Sequence, residues 1–524
     1  MKQFKNLVAL VLVAVMSLAL VGSALAANST ITIENKNPHI SIDGKTYTAW
    51  KLFDAEYTPD GSGVSYSIAT NSYFYTTSNI KTELDKYFTF TVIPGDDSKV
   101  VVTKKDTYTD ATARTLADAL QQYLNTTDAA GLYWTSPAAA SETATISVPG
   151  PGYYLITGTA AAKDDATNEV TSAVGAVSVN GTVTIHPKAD VPTLDKKAKG
   201  DVVIDTAGEQ AIAQVGQEIE FEITATIPDT TGYTTYTYTI HDSWTDGLTY
   251  KADSYAVTKD GTAYTGGTFT LAQDAKSFTY TVPKDDLTPA GKEIKLTYKA
   301  ILNDGAVTTD FERNTAYLEY SNNPYNDQDK DRTPDEHVWV IDLNIDVDKV
   351  AGSASGSKLA GAKFKLYKGD GTGDTDWYSW NASDKKVVWT SFANAAEYET
   401  DANGKLNNQF QGLTQGTYHL RETVPPTGYN ALATDPELVI VATPGTNEAT
   451  ITANGETITN GTVSLTKDDH TAKQPVAVAQ VINNAGTELP STGGIGTTIF
   501  YVAGIVLVLG AAAIIIARRK AEQE

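Results

Sequence analysis

Phe221-Glu222-Ile223-Thr224-Ala225-Thr226-Ile227 alternates apolar and polar side chains from end to end, and Thr235-Tyr236-Thr237-Tyr238-Thr239-Ile240 does the same a short turn later. Successive side chains of an extended chain point to opposite faces, so a period of two marks a half-buried β-strand. The residues that fill these runs, threonine, tyrosine and isoleucine, are the ones that suit a pleated surface. Turn pairs punctuate the pattern along the whole chain: Asn180-Gly181, Asp246-Gly247, Asn403-Gly404 and Asn454-Gly455. Helical periodicity is scarce. Its best instance runs from Ala111 to Leu124, with Leu116, Leu120, Tyr123 and Leu124 on one face. The expectation is an all-β protein of three tandem immunoglobulin-like β-sandwiches.

Two breaks set the borders of those units. One is Pro187 to Pro192, directly after a strand ending at Ile185; the other is the Asn-, Asp- and Pro-rich run from Asn322 to Glu336. They divide the chain into 27–190, 191–335 and 336–487, each the size of a sandwich. The 524 residues include 40 Lys and Arg against 63 Asp and Glu, a net charge of −23. That balance speaks against nucleic-acid binding, which needs clustered positive charge. There is no cysteine, which excludes disulfides, thiolate metal sites and cysteine nucleophiles.

The two ends set the compartment. Lys2 and Lys5 precede an apolar run from Leu7 to Val21, and Ala24-Leu25-Ala26 supplies the small residues of a cleavage site. Residues 1–26 therefore read as a secretory signal peptide. The stretch from Ile495 to Ala517 carries no charge, and Arg518-Arg519-Lys520 follow it. That is long enough to span a bilayer, with the basic cluster on the cytoplasmic side. Just before the span stands Leu489-Pro490-Ser491-Thr492-Gly493. With the apolar span and the basic tail, residues 488–524 resemble a sortase sorting signal of the LPxTG type. The resemblance implies cleavage between Thr492 and Gly493, with Thr492 held as a thioester until an amine takes it, and a Gram-positive host.

Alternation also shows which charged residues face inward. Leu194, Lys196 and Ala198 share one face; Asp242 continues the face of Tyr236, Tyr238 and Ile240; Asn314 leads the face of Ala316, Leu318 and Tyr320. The third segment repeats the set. Lys349 follows Leu343, Ile345 and Val347; Glu422 follows Tyr418 and Leu420; Asn483 follows Ala477, Ala479 and Val481. Each group would be costly to bury alone. The plain reading is a buried salt bridge with an amide beside it. In the Lys196-Lys197 pair, register decides which lysine points inward, and Lys197 is the alternative.

The segment Gly416-Thr417-Tyr418-His419-Leu420-Arg421-Glu422-Thr423-Val424-Pro425-Pro426-Thr427-Gly428-Tyr429 resembles the E-box of Gram-positive pilins and collagen-adhesin B-type domains, with Pro425 in place of the usual alanine. Leu359 to Tyr367 resembles the second-strand signature of that domain. The resemblance implies intramolecular Lys–Asn isopeptide bonds assisted by a carboxyl group. These would be Lys349–Asn483 with Glu422, and Lys196–Asn314 with Asp242. The chemistry suits the residues, because burial disfavours the ammonium and favours a protonated acid. Each bond would close a loop of more than about 100 residues, for which the chain-entropy estimate is roughly 4.7 kcal/mol. The first segment offers no such set. Lys51 could face inward beside Ala49 and Phe53, but Asn180 is better used by its Asn-Gly turn, so no bond is expected there.

Lys188 differs. In Gly181-Thr182-Val183-Thr184-Ile185-His186-Pro187-Lys188 the alternation puts Lys188 on the polar face at a unit border. The run resembles the pilin motif, with His186 in place of the usual tyrosine. The resemblance implies that Lys188 attacks the sortase-bound Thr492 of another subunit. Asp327, Asp329 and Asp331 have the spacing of a calcium loop's first ligands, but Arg332 and Val338 stand where its glycine and glutamate belong, so no metal is expected.

Across nearly its whole length the chain resembles a sortase-assembled major, or backbone, pilin. That implies a secreted, wall-anchored structural subunit without a cofactor. Its partners would be a pilin-class and a housekeeping sortase, further copies of itself, tip and basal pilins, and peptidoglycan. The competing readings are a monomeric wall-anchored adhesin and a surface glycan hydrolase in the first unit.

Overall fold

The strand Glu218–Thr226 buries Ile219, Phe221, Ile223 and Ala225 and turns the residues between them outward. A strand of this kind needs a second sheet to cover its apolar face, and each third of the chain supplies one. The computed structural model describes residues 28–522 except 164, 201, 205–206, 308–310, 445–447, 455–460, 467–475, 488 and 490–494. The expected signal peptide lies outside the described residues.

In the first unit a three-stranded sheet places Ser29–Glu34 between Thr182–Ile185, parallel to it, and Thr143–Val148, antiparallel. It faces an eight-stranded sheet whose central strands are Gly152–Ala162, Tyr47–Tyr57 and Val64–Ala69. This unit is more than a two-layer sandwich. The helices Tyr73–Thr76, Ser78–Tyr87 and Asp110–Gln121 add a third layer, with a core of its own built from Trp50, Leu52, Phe53, Phe74, Ile80, Leu84, Leu116 and Leu120. A bulge between Lys51 and Phe53 shifts the register of Tyr47–Tyr57. The strand therefore feeds Tyr47 and Ala49 to one core and Leu52 and Phe53 to the other. The expected helix starts one residue earlier than its pattern, where Thr109 and Thr112 form a capping box, and ends at Gln121.

The middle unit packs a six-stranded sheet, in which Leu194–Lys199, Glu218–Thr226, Glu293–Leu302, Ala256–Lys259 and Thr262–Ala263 follow in order and Leu248–Tyr250 also pairs with Glu293–Leu302, against an eight-stranded one. In the second sheet Glu336–Ile341 lies between Gln210–Ile212 and Glu312–Ser321. The border expected at 335/336 therefore falls inside this unit. Val338, Trp339, Val340 and Ile341 are all buried, so the strand is apolar on both faces and belongs in the interior of a sheet. The polar run before it is an excursion of the middle unit and contains the strand Lys330–Arg332.

In the third unit Leu343–Ala351 is the centre of a three-stranded sheet, antiparallel to Phe410–Leu413 and parallel to Val476–Asn483. An eight-stranded sheet containing Lys363–Lys368 and Gly416–Val424 covers it. Only Asp342 separates this unit from the middle one. Val215 N donates to Gly412 O at 2.9 Å, and Trp389 Nε1 to Gln214 Oε1 at 2.8 Å, across the junction. The C-terminal helix Ile495–Ala521 is apolar and exposed over the length needed to cross a membrane.

The Asn403-Gly404 turn is built into this framework. Gly404 has φ +74°, its carbonyl accepts from Lys349 N at 2.9 Å, and a Cβ there would sit 2.6 Å from Lys349 O. Gly428, at φ +87°, has open space around it. Gly404→Ala should therefore destabilise the third unit by about 1–3 kcal/mol, and Gly428→Ala by less. Urea unfolding followed by the fluorescence of Trp377 and Trp389 measures both, and equal effects would contradict the account.

Candidate functional site

The inward lysine of the middle unit is Lys196. It lies on Leu194–Lys199 with its side chain fully buried, whereas Lys197 points outward and pairs with Asp195 at 2.7 Å. Asp242 and Asn314 come from the opposite sheet, on Tyr238–Trp244 and Glu312–Ser321, in register such that Trp244 pairs with Asn314 and Asp242 with Ala316. Lys196 Nζ donates to Asp242 Oδ2. Between lysine and asparagine stands a group the sequence reading did not single out, Tyr298. Its hydroxyl donates to Asp242 Oδ1 at 2.8 Å and accepts from Asn314 Nδ2 at 2.5 Å and from Lys196 Nζ at 3.2 Å. Tyr298 lies on the inward face of Glu293–Leu302 with Leu296 and Ala300, so alternation did place it here. What alternation lacked was a reason to treat a core tyrosine as polar machinery.

Burial dominates the electrostatics. It pulls the Lys196 ammonium below the usual lysine range against the opposing pull of Asp242, and it pushes the Asp242 carboxyl up against the pull of Lys196. The Phe221 and Tyr298 rings, at 5.4 and 5.3 Å from Lys196 Nζ, line the rest of the pocket.

The third unit gathers the same residue types differently. Lys349 and Asn483 lie on neighbouring parallel strands of one sheet, with Lys349 paired to Val481 and Ala351 to Asn483. Lys349 Nζ donates to Asn483 Oδ1 and, at 3.2 Å, to Val481 O. Glu422 reaches in from the facing sheet. Its carboxylate is 3.6 Å from Lys349 Nζ and accepts from Asn483 Nδ2 at 3.0 and 2.9 Å. One carboxyl group thus touches both the amine and the amide nitrogen. Burial lowers the Lys349 ammonium to about 8, with Glu422 opposing.

The segment after Glu422 completes this pocket. Gly486 N donates to Gly428 O at 3.2 Å, Asn430 N to Asn484 O at 2.9 Å, and Tyr429 bridges to Ala485, so the turn is stitched to the end of the last strand. Asn430 O then accepts from Asn483 Nδ2 at 2.9 Å, and Leu432 N donates to Glu422 at 3.2 Å. Both are backbone groups, and side-chain patterning gave no signal for them.

Lys188 is exposed, two residues beyond His186, whose Nδ1 hydrogen-bonds Glu34 O at 2.6 Å. Leu489 is exposed; Pro490, Ser491, Thr492 and Gly493 lie outside the described residues. In the first unit Lys51 Nζ pairs with the exposed Asp54 at 2.5 Å. Asp329 accepts from Asn323 Nδ2 at 3.1 Å, and Asp331 from Arg332 N at 2.8 Å. Among the described residues no group of three or more His, Asp and Glu is placed to hold a metal ion.

Two families match the sequence: the SpaA prealbumin-like fold domain over residues 344–455, and the LPXTG cell wall anchor motif over 482–522. A search of curated proteins finds no match. Among solved structures, the T6 backbone pilin of Streptococcus pyogenes, described as a modular three-domain structure, is 17% identical. The match covers 88% of this chain and all of that one at a TM-score of 0.51. The pilus 2b backbone protein of group B streptococcus is 26% identical, over 56% of this chain and 99% of its own, at 0.39. The major pilin SpaD of Corynebacterium diphtheriae is 15% identical, over 88% and 98%, at 0.44. The chain thus carries an LPXTG cell wall anchor motif and, within its third unit, a match to the SpaA prealbumin-like domain, and its fold resembles that of a Gram-positive backbone pilin.

Proposed function

We propose that the protein is the backbone subunit of a covalent surface pilus, polymerised by a pilin-class sortase through Lys188–Thr492 isopeptide bonds and finally attached to peptidoglycan. The observation that carries this reading is the exposed Lys188 at a unit border, in a wall-anchored chain with the fold of a backbone pilin. The shaft supports adhesion. The subunit is a sortase substrate rather than an enzyme, and tip and basal pilins complete the fibre.

Within the subunit, two Lys–Asn bonds form once each. In the third unit Glu422 takes a proton from the Lys349 ammonium, and the neutral Nζ attacks Cγ of Asn483. The Cγ–Nδ2 bond breaks as Glu422 hands one proton to Nδ2 and takes one from the new amide nitrogen, so ammonia departs and the carboxyl group is left protonated. The contacts that favour this are the 3.6 Å approach of Glu422 to Nζ and its two hydrogen bonds from Nδ2. In the middle unit Asp242 has the same role toward Lys196 and reaches Asn314 through the Tyr298 hydroxyl, which relays the proton.

Wall extracts probed with antibody should show a high-mass ladder for the native chain and none for Lys188→Ala. A ladder unchanged in the variant overturns the Lys188 assignment, and no ladder in either favours a monomeric adhesin. The intact soluble protein should lack one ammonia per internal bond. Glu422→Ala should restore one ammonia, and Tyr298→Phe should slow closure in the middle unit more than in the third. A native protein of full calculated mass overturns both bonds.

Where the bond cannot form, the buried lysine titrates. In Asn483→Ala, Lys349 is held near 8 in the folded protein against about 10.4 unfolded. Between those values the unfolded chain binds the extra proton, so stability rises with pH by at most about 1.4 kcal/mol per unit. Subtracting the profile of Lys349→Met/Asn483→Ala isolates this contribution. A flat difference between pH 8 and 10 contradicts it.

A further inference from the structure

The polar run after Ser321 is shaped as a clasp on the first unit. Asn322 O accepts from Thr171 N at 3.0 Å, and Asn322 Nδ2 donates to Glu169 O at 3.4 Å. Tyr325 packs its ring against the helical core of the first unit. Its hydroxyl accepts from Val174 N at 2.8 Å and donates to Asp118 Oδ1 at 3.3 Å. Asp118 in turn holds Arg114 at 3.0 Å, and Arg114 Nη1 donates to Val174 O at 3.0 Å. Gly232, from another loop of the middle unit, meets the same spot, where a Cβ would lie 2.0 Å from Arg114 Nη2 and 3.1 Å from Ala173 Cβ.

What the clasp grips is a bulge. Pairing between Glu169–Val179 and Gly152–Ala162 slips between Ser172 and Gly175. A bulge turns backbone groups away from the regular ladder. Here one side chain and one backbone amide of the bulge hold Lys188: Ser172 Oγ accepts from Lys188 N at 2.9 Å, and Ala173 N donates to Lys188 O at 2.9 Å. The strand before Lys188 ends at Ile185, and Pro187 has no N–H to continue a ladder. The backbone of Lys188 is therefore fixed to the bulge, one residue from the amide that Tyr325 holds.

We propose that Tyr325, acting through the Ser172–Val174 bulge, is the positioning residue for the intersubunit acyl transfer at Lys188. The inference rests on the reading of Lys188 as acceptor given above. In that step the neutral Lys188 amine attacks the thioester carbonyl of Thr492 held on a sortase thiol; the C–S bond breaks, the C–Nζ amide forms, and the amine's proton passes to the departing thiolate. An exposed lysine has many rotamers. Holding its backbone limits the orientations it offers to a bulky acyl-enzyme. Because the loop belongs to the middle unit, an acceptor lysine of the first unit is complete only when the two units are docked.

The test uses the full chain expressed with a pilin-class sortase in a Gram-positive host, comparing native protein with Tyr325→Phe, Ser172→Ala, Lys188→Ala and the exposed control Tyr255→Phe. Three quantities are read: the ratio of ladder to wall-anchored monomer, the melting temperature of the released monomer, and the lysine carrying the branched peptide by mass mapping. Tyr325→Phe and Ser172→Ala should lower the ratio about fivefold, the scale of one lost hydrogen bond to backbone. The melting temperature should stay near that of the control, and the residual branches should spread from Lys188 to neighbouring lysines. Native ratios with every branch at Lys188, while Lys188→Ala has no ladder, overturn the positioning role and leave the acceptor standing. A persistent ladder in Lys188→Ala overturns the acceptor. A ratio that falls only in step with melting temperature makes Tyr325 a structural residue and overturns the proposal.

Discussion

The fold is organised around the cost of placing a lysine ammonium in an apolar core. Lys196 and Lys349 are both fully buried, and an unpaired charge there would not be tolerated. A buried ion pair does not solve the problem by itself, because desolvation of two charges roughly cancels their attraction. The proposed reaction offers a different solution. Ammonium, carboxylate and carboxamide go in; a secondary amide, a carboxylic acid and free ammonia come out. No charge remains in the core of the middle unit, where burial already favours the protonated form of Asp242. The groups that make the unreacted site unfavourable are those whose reaction removes the penalty.

The two proposed crosslinks would lie in different mechanical positions. In the third unit Lys349 and Asn483 lie on adjacent parallel strands that open and close the unit. Tension entering at Leu343 would cross after a few residues and leave toward the anchor, bypassing everything between. In the middle unit the link would run between sheets, from Leu194–Lys199 to Glu312–Ser321, which is not the last strand. Asn314 is followed by the clasp loop and by Glu336–Ile341, which pairs antiparallel with Glu312–Ser321. That hairpin would stay in the line of force with hydrogen bonds alone. Its interior position, with Val338, Val340 and Ile341 buried, would be what resists extension there.

Much of this was legible in the sequence, for a physical reason. Half-buried strands alternate, so Asp242, Asn314, Lys349, Glu422 and Asn483 could each be assigned a face before any coordinates, while the Lys196-Lys197 pair left its register open. The misreadings occur where alternation fails. Glu336–Ile341 is apolar on both faces and carries no period of two, and the polar run before it has the composition of a linker while acting as a clasp. In the helix Ser78–Tyr87 only Ile80 and Leu84 are fully buried, too short a stripe to stand out. Tyr298 has the right face but an ambiguous chemistry, and Asn430 contributes a carbonyl, to which side-chain patterns are blind.

The first unit fits the same mechanical logic by its exclusion. It has no buried lysine beside an asparagine among the described residues; Lys51 meets Asp54 at its edge instead. If the neighbouring subunit is joined at Lys188, tension enters between the first and second units and reaches Lys196 within a few residues. The whole of the first unit then hangs beside the load path. A crosslink inside it would carry nothing, and its stability can rest on two apolar cores and a helical layer. What the first unit would then supply is a fixed seat for the loaded lysine. The Ser172–Val174 bulge provides one, and the middle unit grips that bulge from outside with Asn322 and Tyr325. Load applied at Lys188 would therefore pull on the border between two docked units, not on the interior of either.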